Sequence, residues 1–300
     1  MIGGNIVRIK SKEDDTVSID SLSNNSMLNP KKITTANLII IIGLVASVMG
    51  IITFIAIDFP SLISRSNTNI TSETLFLQAI ENGSPVITLT QDITITEPFS
   101  IYNSVTIRGN YTITLSVQDS VISPIRVVSP GVILNGPTII AENRMLGPII
   151  WISDNRSSLT LNSGYVGGRI FVTRSGSFTL NDGQVDSVGV GIQGAAFTMN
   201  GGIISGSFRG VSIEDGRFIM NGGIITDNHI GVDFDSIMPD DVVSFRMNDG
   251  VITGNGIAFS ASDRVSSIDF MISGGTISGN IEYVNENMRQ LAVPGLEFTQ

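Results

Sequence analysis

The chain has 300 residues, is rich in glycine (32), has no cysteine and only 15% charged residues, and carries a net charge of −10 at neutral pH. All four lysines lie before residue 33, and after Pro60 there are 12 Arg against 22 Asp plus Glu, so the larger part of the chain carries the whole negative excess and is a poor match for nucleic acid. Without cysteine there is no disulfide framework, and with a single histidine there is no Cys/His transition-metal site.

Residues 1–36 are polar, rich in Ser, Asn, Asp and Lys, and show no sustained period; they read as a disordered tail. From Leu38 to Ile57 no residue is charged. At 1.5 Å per residue this run reaches about 30 Å, the thickness of a bilayer's hydrocarbon core, and predicts a single transmembrane helix over 37–58, with lipid as partner of residues 38–57. A cleaved signal peptide is the rival reading. The polar leader is longer than such peptides carry, the apolar run exceeds their core, and no small-x-small site follows at Ile55-Ala56-Ile57-Asp58. Lys31 and Lys32 precede the span, whereas Asp58 is the first charge after it and Arg65 the first cation. The bias keeps the N-terminus cytoplasmic and places the rest outside the cell (plasma) membrane.

After a linker over 59–71, Ser72 stands as N-cap of a short helix with Leu75, Phe76, Ala79 and Ile80 on one face, stopped at Asn82-Gly83. Open solenoid ends expose core and strand edges, so this helix is the expected N-terminal cap. Period-2 apolar runs follow at 86–89, 93–95, 105–107 and 111–115, and continue less regularly to Ile149-Ile-Trp-Ile152. Regular copies then run from Leu159 to Asn280. Residues 282–300 lose the motif and read as a C-terminal cap or tail.

The regular copies begin at positions 159, 178, 197, 218, 245 and 270. Their spacing, roughly 19 to 27 residues, is in the range of solenoid repeats. Phe197-Thr-Met-Asn200-Gly-Gly202-Ile-Ile204 is typical. Its first, third and last positions are apolar and point inward from strands. Asn-x-Gly, with Asn at 162, 181, 200, 221 and 248 and Ser at 273, suits a corner that needs a left-handed backbone. A second apolar pair behind a glycine, as in Gly210-Val211-Ser-Ile213, supplies a third strand per coil. Stacked coils should align the asparagines in a hydrogen-bonded ladder and pile Phe178, Phe197, Phe218, Phe245 and Phe270 inside.

The phrase Phe-x-Met-Asn-Gly-Gly-x-Ile, continuing once as Gly274-Gly-Thr-Ile-Ser-Gly-Asn280, resembles the right-handed parallel β-helix repeats of the pectin-lyase-like superfamily, and most of all its non-enzymatic, adhesin-like surface branch. The resemblance is strong over 159–280 and weaker back to about 86. It implies an all-β, right-handed parallel β-helix over 72–281, about nine coils long. The implied role is surface display, with binding of a glycan or protein ligand, or a structural part, without catalysis. The alternative is a polysaccharide lyase or glycoside hydrolase of the same superfamily.

Carboxylates gather at Asp227, Asp233, Asp235, Asp240 and Asp241, the last three in an insertion over 235–243. Such groups can serve as acid and base or hold Ca²⁺, while the plainer account is that outward strand and turn positions need polar residues. The Asn-Thr-Asp, Gly-His-Gly and Arg-Ile-Lys motifs that the resemblance would require of a hydrolase are missing. His229 falls in a turn, and Trp151 and the four tyrosines are scattered along the sequence. No catalytic residue and no cofactor site is therefore expected.

Overall fold

The computed structural model describes residues 42–43, 54–55, 68–119, 121–143, 145–236, 243–265 and 268–283. The chain divides into two units, Met1–Ser64 and Arg65–Gln300. In the first, Ile42–Gly43 and Phe54–Ile55 pair as short antiparallel strands, where the apolar run predicts helix. The rest of the 37–58 span and the 1–36 tail lie outside the described residues. Among the described residues no helix is long and apolar enough to cross a membrane.

Among the described residues the second unit is all-β apart from one helix, and its pairing fits a β-helix solenoid. Every strand pair in it is parallel and joins a strand to its counterpart in the next coil, so three sheets run side by side. The first starts at Thr68–Ile70 and ends at Ile268–Ile272. The second goes from Ile93–Ile95 to Thr276–Ile277, and the third from Phe99–Ile101 to Asn280–Tyr283. Four of these strands, Val132–Ala141, Ser158–Gly167, Val190–Met199 and Arg209–Met220, run on through a corner and serve two sheets each.

The inward positions make one continuous core. Phe178, Phe197, Phe218 and Phe245 are fully buried in one file. Their ring centroids lie 5.1, 4.7 and 5.3 Å apart, and Phe270 continues the file at 5.3 Å from Phe245. Each buried ring stabilises the fold by roughly 1.5–3 kcal/mol. Outside the corner the asparagines form the expected ladder. Nδ2 of Asn162, Asn181, Asn200, Asn221 and Asn248 each donates to Oδ1 of the asparagine one coil earlier, at 2.7–2.9 Å. The ladder starts one coil before the regular repeats, at Asn135, and ends with the Ser273 hydroxyl donating to Asn248 Oδ1 at 3.1 Å.

Only the glycine of Asn-x-Gly is left-handed: Gly164, Gly183 and Gly202 have φ of 114°, 96° and 77°, whereas none of the ladder asparagines has positive φ. A Cβ on Gly183 would also stand 2.5 Å from the Gly164 carbonyl oxygen. Asparagine is thus placed for its amide and glycine for the turn. A second, inner ladder joins Asn228 to Asn255, Nδ2 to Oδ1 at 3.0 Å, where the second sheet turns into the third.

Helix Glu73–Glu81 begins at Ser72, whose Oγ accepts from the Leu75 N–H. It buries Phe76, Ala79 and Ile80, with Phe76 edge-on to Phe99 at 5.4 Å, but leaves Leu75 41% exposed. Leu75 therefore lies off the buried face to which the periodicity assigns it. Thr68–Ile70, placed in the linker by sequence, is already a rung of the first sheet. At the other end Glu282 and Tyr283 are in the last strand, and 284–300, with the expected C-terminal cap, lie outside the described residues.

Candidate functional site

The corner between the second and third sheets shapes the surface. In the regular coils it is short, as between Gln184–Asp186 and Val190–Met199 or between Ile203–Ser205 and Arg209–Met220. In the two coils before them it spans 116–124 and 142–149, so two loops overhang the outer face of the third sheet. They pack on each other: the Ser116 hydroxyl donates to the Glu142 carboxylate, and a Cβ on Gly147 would lie 2.6 Å from the Val121 carbonyl oxygen.

The outward file of that sheet reads Ser100, Arg126, Trp151, Phe171, Gly191, Ser212, Asp233, Ser260. The corresponding file of the first sheet is chiefly threonine and isoleucine, as in Thr160, Thr179, Thr198 and Ile219. Two clefts lie along the third sheet. The one under the 116–124 loop, of about 640 Å³, is lined by Tyr102, Val121, Ile122, Arg126, Trp151 and Phe171. The other, of about 690 Å³, lies against 142–147 and includes Leu146, Arg169, Val188, Phe208 and Arg209. They meet where the Arg169 guanidinium sits 4.7 Å from the Phe171 ring centroid.

Glycine at 191 makes that contact fit. A Cβ there would stand 2.5 Å from an Arg169 terminal nitrogen. Arg169 thus folds across the sheet toward Glu214, the extra residue of a bulge, since Ile192 pairs with Ile213 and Gln193 with Asp215. Bulges re-aim side chains in this way. Burial pushes the Glu214 carboxyl above the usual range, while Arg169 pulls it back. Asp233 is also raised by burial, against the pull of Arg209, whose Nε lies 2.6 Å from its carboxylate. Arg169 itself is lowered by burial and by Arg209 and supported by Glu214. Two arginines and three carboxylates, Glu214, Asp233 and Asp235, thus form one partly desolvated network beside the second cleft.

The carboxylates singled out by sequence divide. Asp233 and Asp235 share this network, with Asp235 accepting from the Ser262 hydroxyl at 2.7 Å. Asp227 stands apart, exposed at a corner with φ 56° and bonded to its neighbour Thr226. Asp240 and Asp241 lie outside the described residues. Among the described residues no three acidic or histidine side chains are placed to hold a metal ion, so Asp227, Asp233 and Asp235 do not assemble as one calcium site. His229 is exposed in its turn, stacked on Phe208 at 4.8 Å.

Glu214, Arg169 and the Trp151–Phe171 platform escape a sequence reading, because register and not proximity in the chain brings them together. One signal is present: the core positions Val105, Val132 and Leu159 pair in register, although the coils between them are longer than the coil from Leu159 to Phe178. The chain matches no protein-family model, no curated protein and no solved structure.

Proposed function

We propose that the chain is a single-pass, membrane-anchored surface protein with a cytoplasmic N-terminus. It displays a right-handed parallel β-helix, the hand that parallel crossovers overwhelmingly adopt, and binds a surface glycan or protein through the outer face of the third sheet, without catalysis. One observation carries this reading. Of the eleven large apolar side chains exposed among the described residues, six line the two clefts: Tyr102, Val121, Ile122, Leu146, Val188 and Phe208. Apolar surface gathered in this way marks interaction sites, whereas scattered residues do not. The anchor and its orientation rest on the charge-free 38–57 run and the lysines before it. Cells producing the full chain should lose the β-helix to external protease. They should also adhere to members of a panel of immobilised glycans and proteins, and the pair Leu146→Asp and Phe208→Asp should abolish that adhesion. Adhesion to none of the panel, or equal adhesion by the variant, refutes the reading.

A specific observation favours a second reading, a polysaccharide lyase or glycoside hydrolase. Glu214 and Asp233, both raised above the usual carboxylate range, stand with Arg169 and Arg209 beside a cleft, as an acid–base pair would. Release of reducing ends or unsaturated products from acidic polysaccharides, lost in Glu214→Gln, would establish it.

A further inference from the structure

We propose that the cleft under the 116–124 loop binds a small apolar molecule bearing one carboxylate. The inference deepens the reading of the third-sheet face as a binding surface and rests on it. The lining is chiefly apolar, with Tyr102, Val121, Ile122, Pro148, Trp151 and Phe171 around a volume of about 640 Å³, a size that encloses a drug-sized ligand. Of its four neutral side-chain donors, the hydroxyls of Ser100, Tyr102 and Ser123 and the Trp151 indole, two are engaged elsewhere. The Trp151 indole N–H donates to Thr173 Oγ1 at 3.0 Å, and the Ser123 hydroxyl donates to the Ile125 carbonyl at 3.1 Å. A polyhydroxylated sugar seated there would meet few partners for its several hydroxyl groups, and each one buried unpaired gives up its bonds to water. An apolar body loses nothing by entry.

Charge specifies the rest. Arg126 is the one charged side chain lining the cleft. It is held in place, with its guanidinium 5.2 Å from the Trp151 ring centroid and Nε donating to Ser153 Oγ at 2.6 Å. Among the described residues no carboxylate forms an ion pair with it; the ion pairs there are Arg209–Asp233 and Arg246–Asp269. The terminal nitrogens of a guanidinium match a carboxylate, and apolar walls strengthen the attraction by displacing water. A single fixed cation at an aromatic platform is thus complementary to an apolar monoanion.

Trp151 is the only tryptophan in the chain, so its emission reports occupancy directly. The full chain in nanodiscs would be titrated with 3-phenylpropanoate, with the uncharged 3-phenylpropan-1-ol and with galacturonate, exciting at the red edge of tryptophan absorption. The acid should shift or quench the emission saturably, with a Kd at least tenfold below that of the alcohol, and galacturonate should have no effect. Arg126→Gln should weaken the acid about tenfold and leave the alcohol unchanged. Val121→Asp, a change at a 68% exposed rim position, should repel the acid without touching the core, and so tests the proposal should Arg126→Gln fail to fold. Equal binding of acid and alcohol, indifference of the acid to both variants, or preference for galacturonate overturns the proposal. If it fails while adhesion still depends on Leu146 and Phe208 in the neighbouring cleft, the binding reading survives. If both fail, the reading falls with it.

Discussion

Replacing Arg209 by Gln removes the partner of a carboxylate that has little access to water. Asp233 is 5% exposed, and Arg209 Nε lies 2.6 Å from its Oδ2. Losing one member of a fully buried pair costs about 3–5 kcal/mol, because the other is left uncompensated. Here the Arg209 side chain is 48% exposed, so water already screens part of the attraction. The expected cost at pH 7.5 is therefore about 2 kcal/mol. The pH dependence has a definite sign. Burial holds the folded Asp233 above its ordinary value, and Arg209 opposes the rise; without Arg209 the carboxyl moves higher still. A carboxyl raised on folding contributes stability that is fully present below its unfolded value and is lost as pH climbs through the folded one. The parent protein should therefore lose some stability from mildly acidic to neutral pH, with Glu214 adding to the slope, and Arg209→Gln should steepen it.

The assay is urea unfolding followed by far-UV circular dichroism at pH 5 and 7.5, for the parent, Arg209→Gln, Asp233→Asn and the double variant. Asp233→Asn leaves only a half-exposed arginine unpaired and should cost under about 1 kcal/mol. The double variant should resemble it, since the neutral amide no longer needs a cation. An Arg209→Gln variant that loses under about 0.5 kcal/mol at pH 7.5, or the same amount at both pH values, or that Asp233→Asn does not rescue, refutes the reasoning.

Phe197→Ala should destabilise by about 3–5 kcal/mol, because the ring is fully buried between Phe178 and Phe218; the same urea titration checks it, and a loss under about 1 kcal/mol would contradict the stacked core. The two asparagine ladders should respond unequally in thermal melts. Asn200→Ala breaks exposed amide bonds and should cost about 1 kcal/mol. Asn228→Ala should cost about twice that or more, since it is 3% exposed, donates to the carbonyls of Ile204 and Thr226, and accepts from the Ser207 N–H. Equal midpoints would show that burial does not decide the difference.

The repeat was legible because each of its constraints is local and recurs. Phenylalanine, methionine and isoleucine at alternating positions must face inward, and a glycine whose Cβ would strike the coil below has no substitute, so the files of Phe197 and Gly183 follow from spacing alone. The amide ladder follows for the same reason, although its first member, Asn135, sits in a coil without the full phrase. Leu75 and Thr68–Ile70 depart from the sequence expectation because tertiary packing decides them: a short helix against a curved end buries a narrower stripe than its periodicity suggests, and three residues make a strand only where a neighbouring edge waits.

The clefts were not legible, and the reason is the same regularity. A solenoid stacks side chains that belong to successive coils, so Arg126, Trp151 and Phe171 become neighbours with no motif linking them in the chain. Within the repeat the outward file is free to vary, and variation carries no pattern to detect. What departs from the pattern is length. The coil from Leu159 to Phe178 closes three strands and three tight corners, and the additional residues of a longer coil leave the core unchanged and must emerge at a corner as a loop. The sequence shows such excess in three places, in the coils between Val105 and Leu159, after Phe234 and after Ala261. The first of these rises at the corner beside the third sheet, where 116–124 and 142–149 wall the aromatic and arginine side chains. The candidate site therefore takes its overhanging walls from the irregular coils ahead of the regular repeats, and its second cleft runs on to Arg169, Phe208 and Arg209 within them, where charge alone points to the carboxylates.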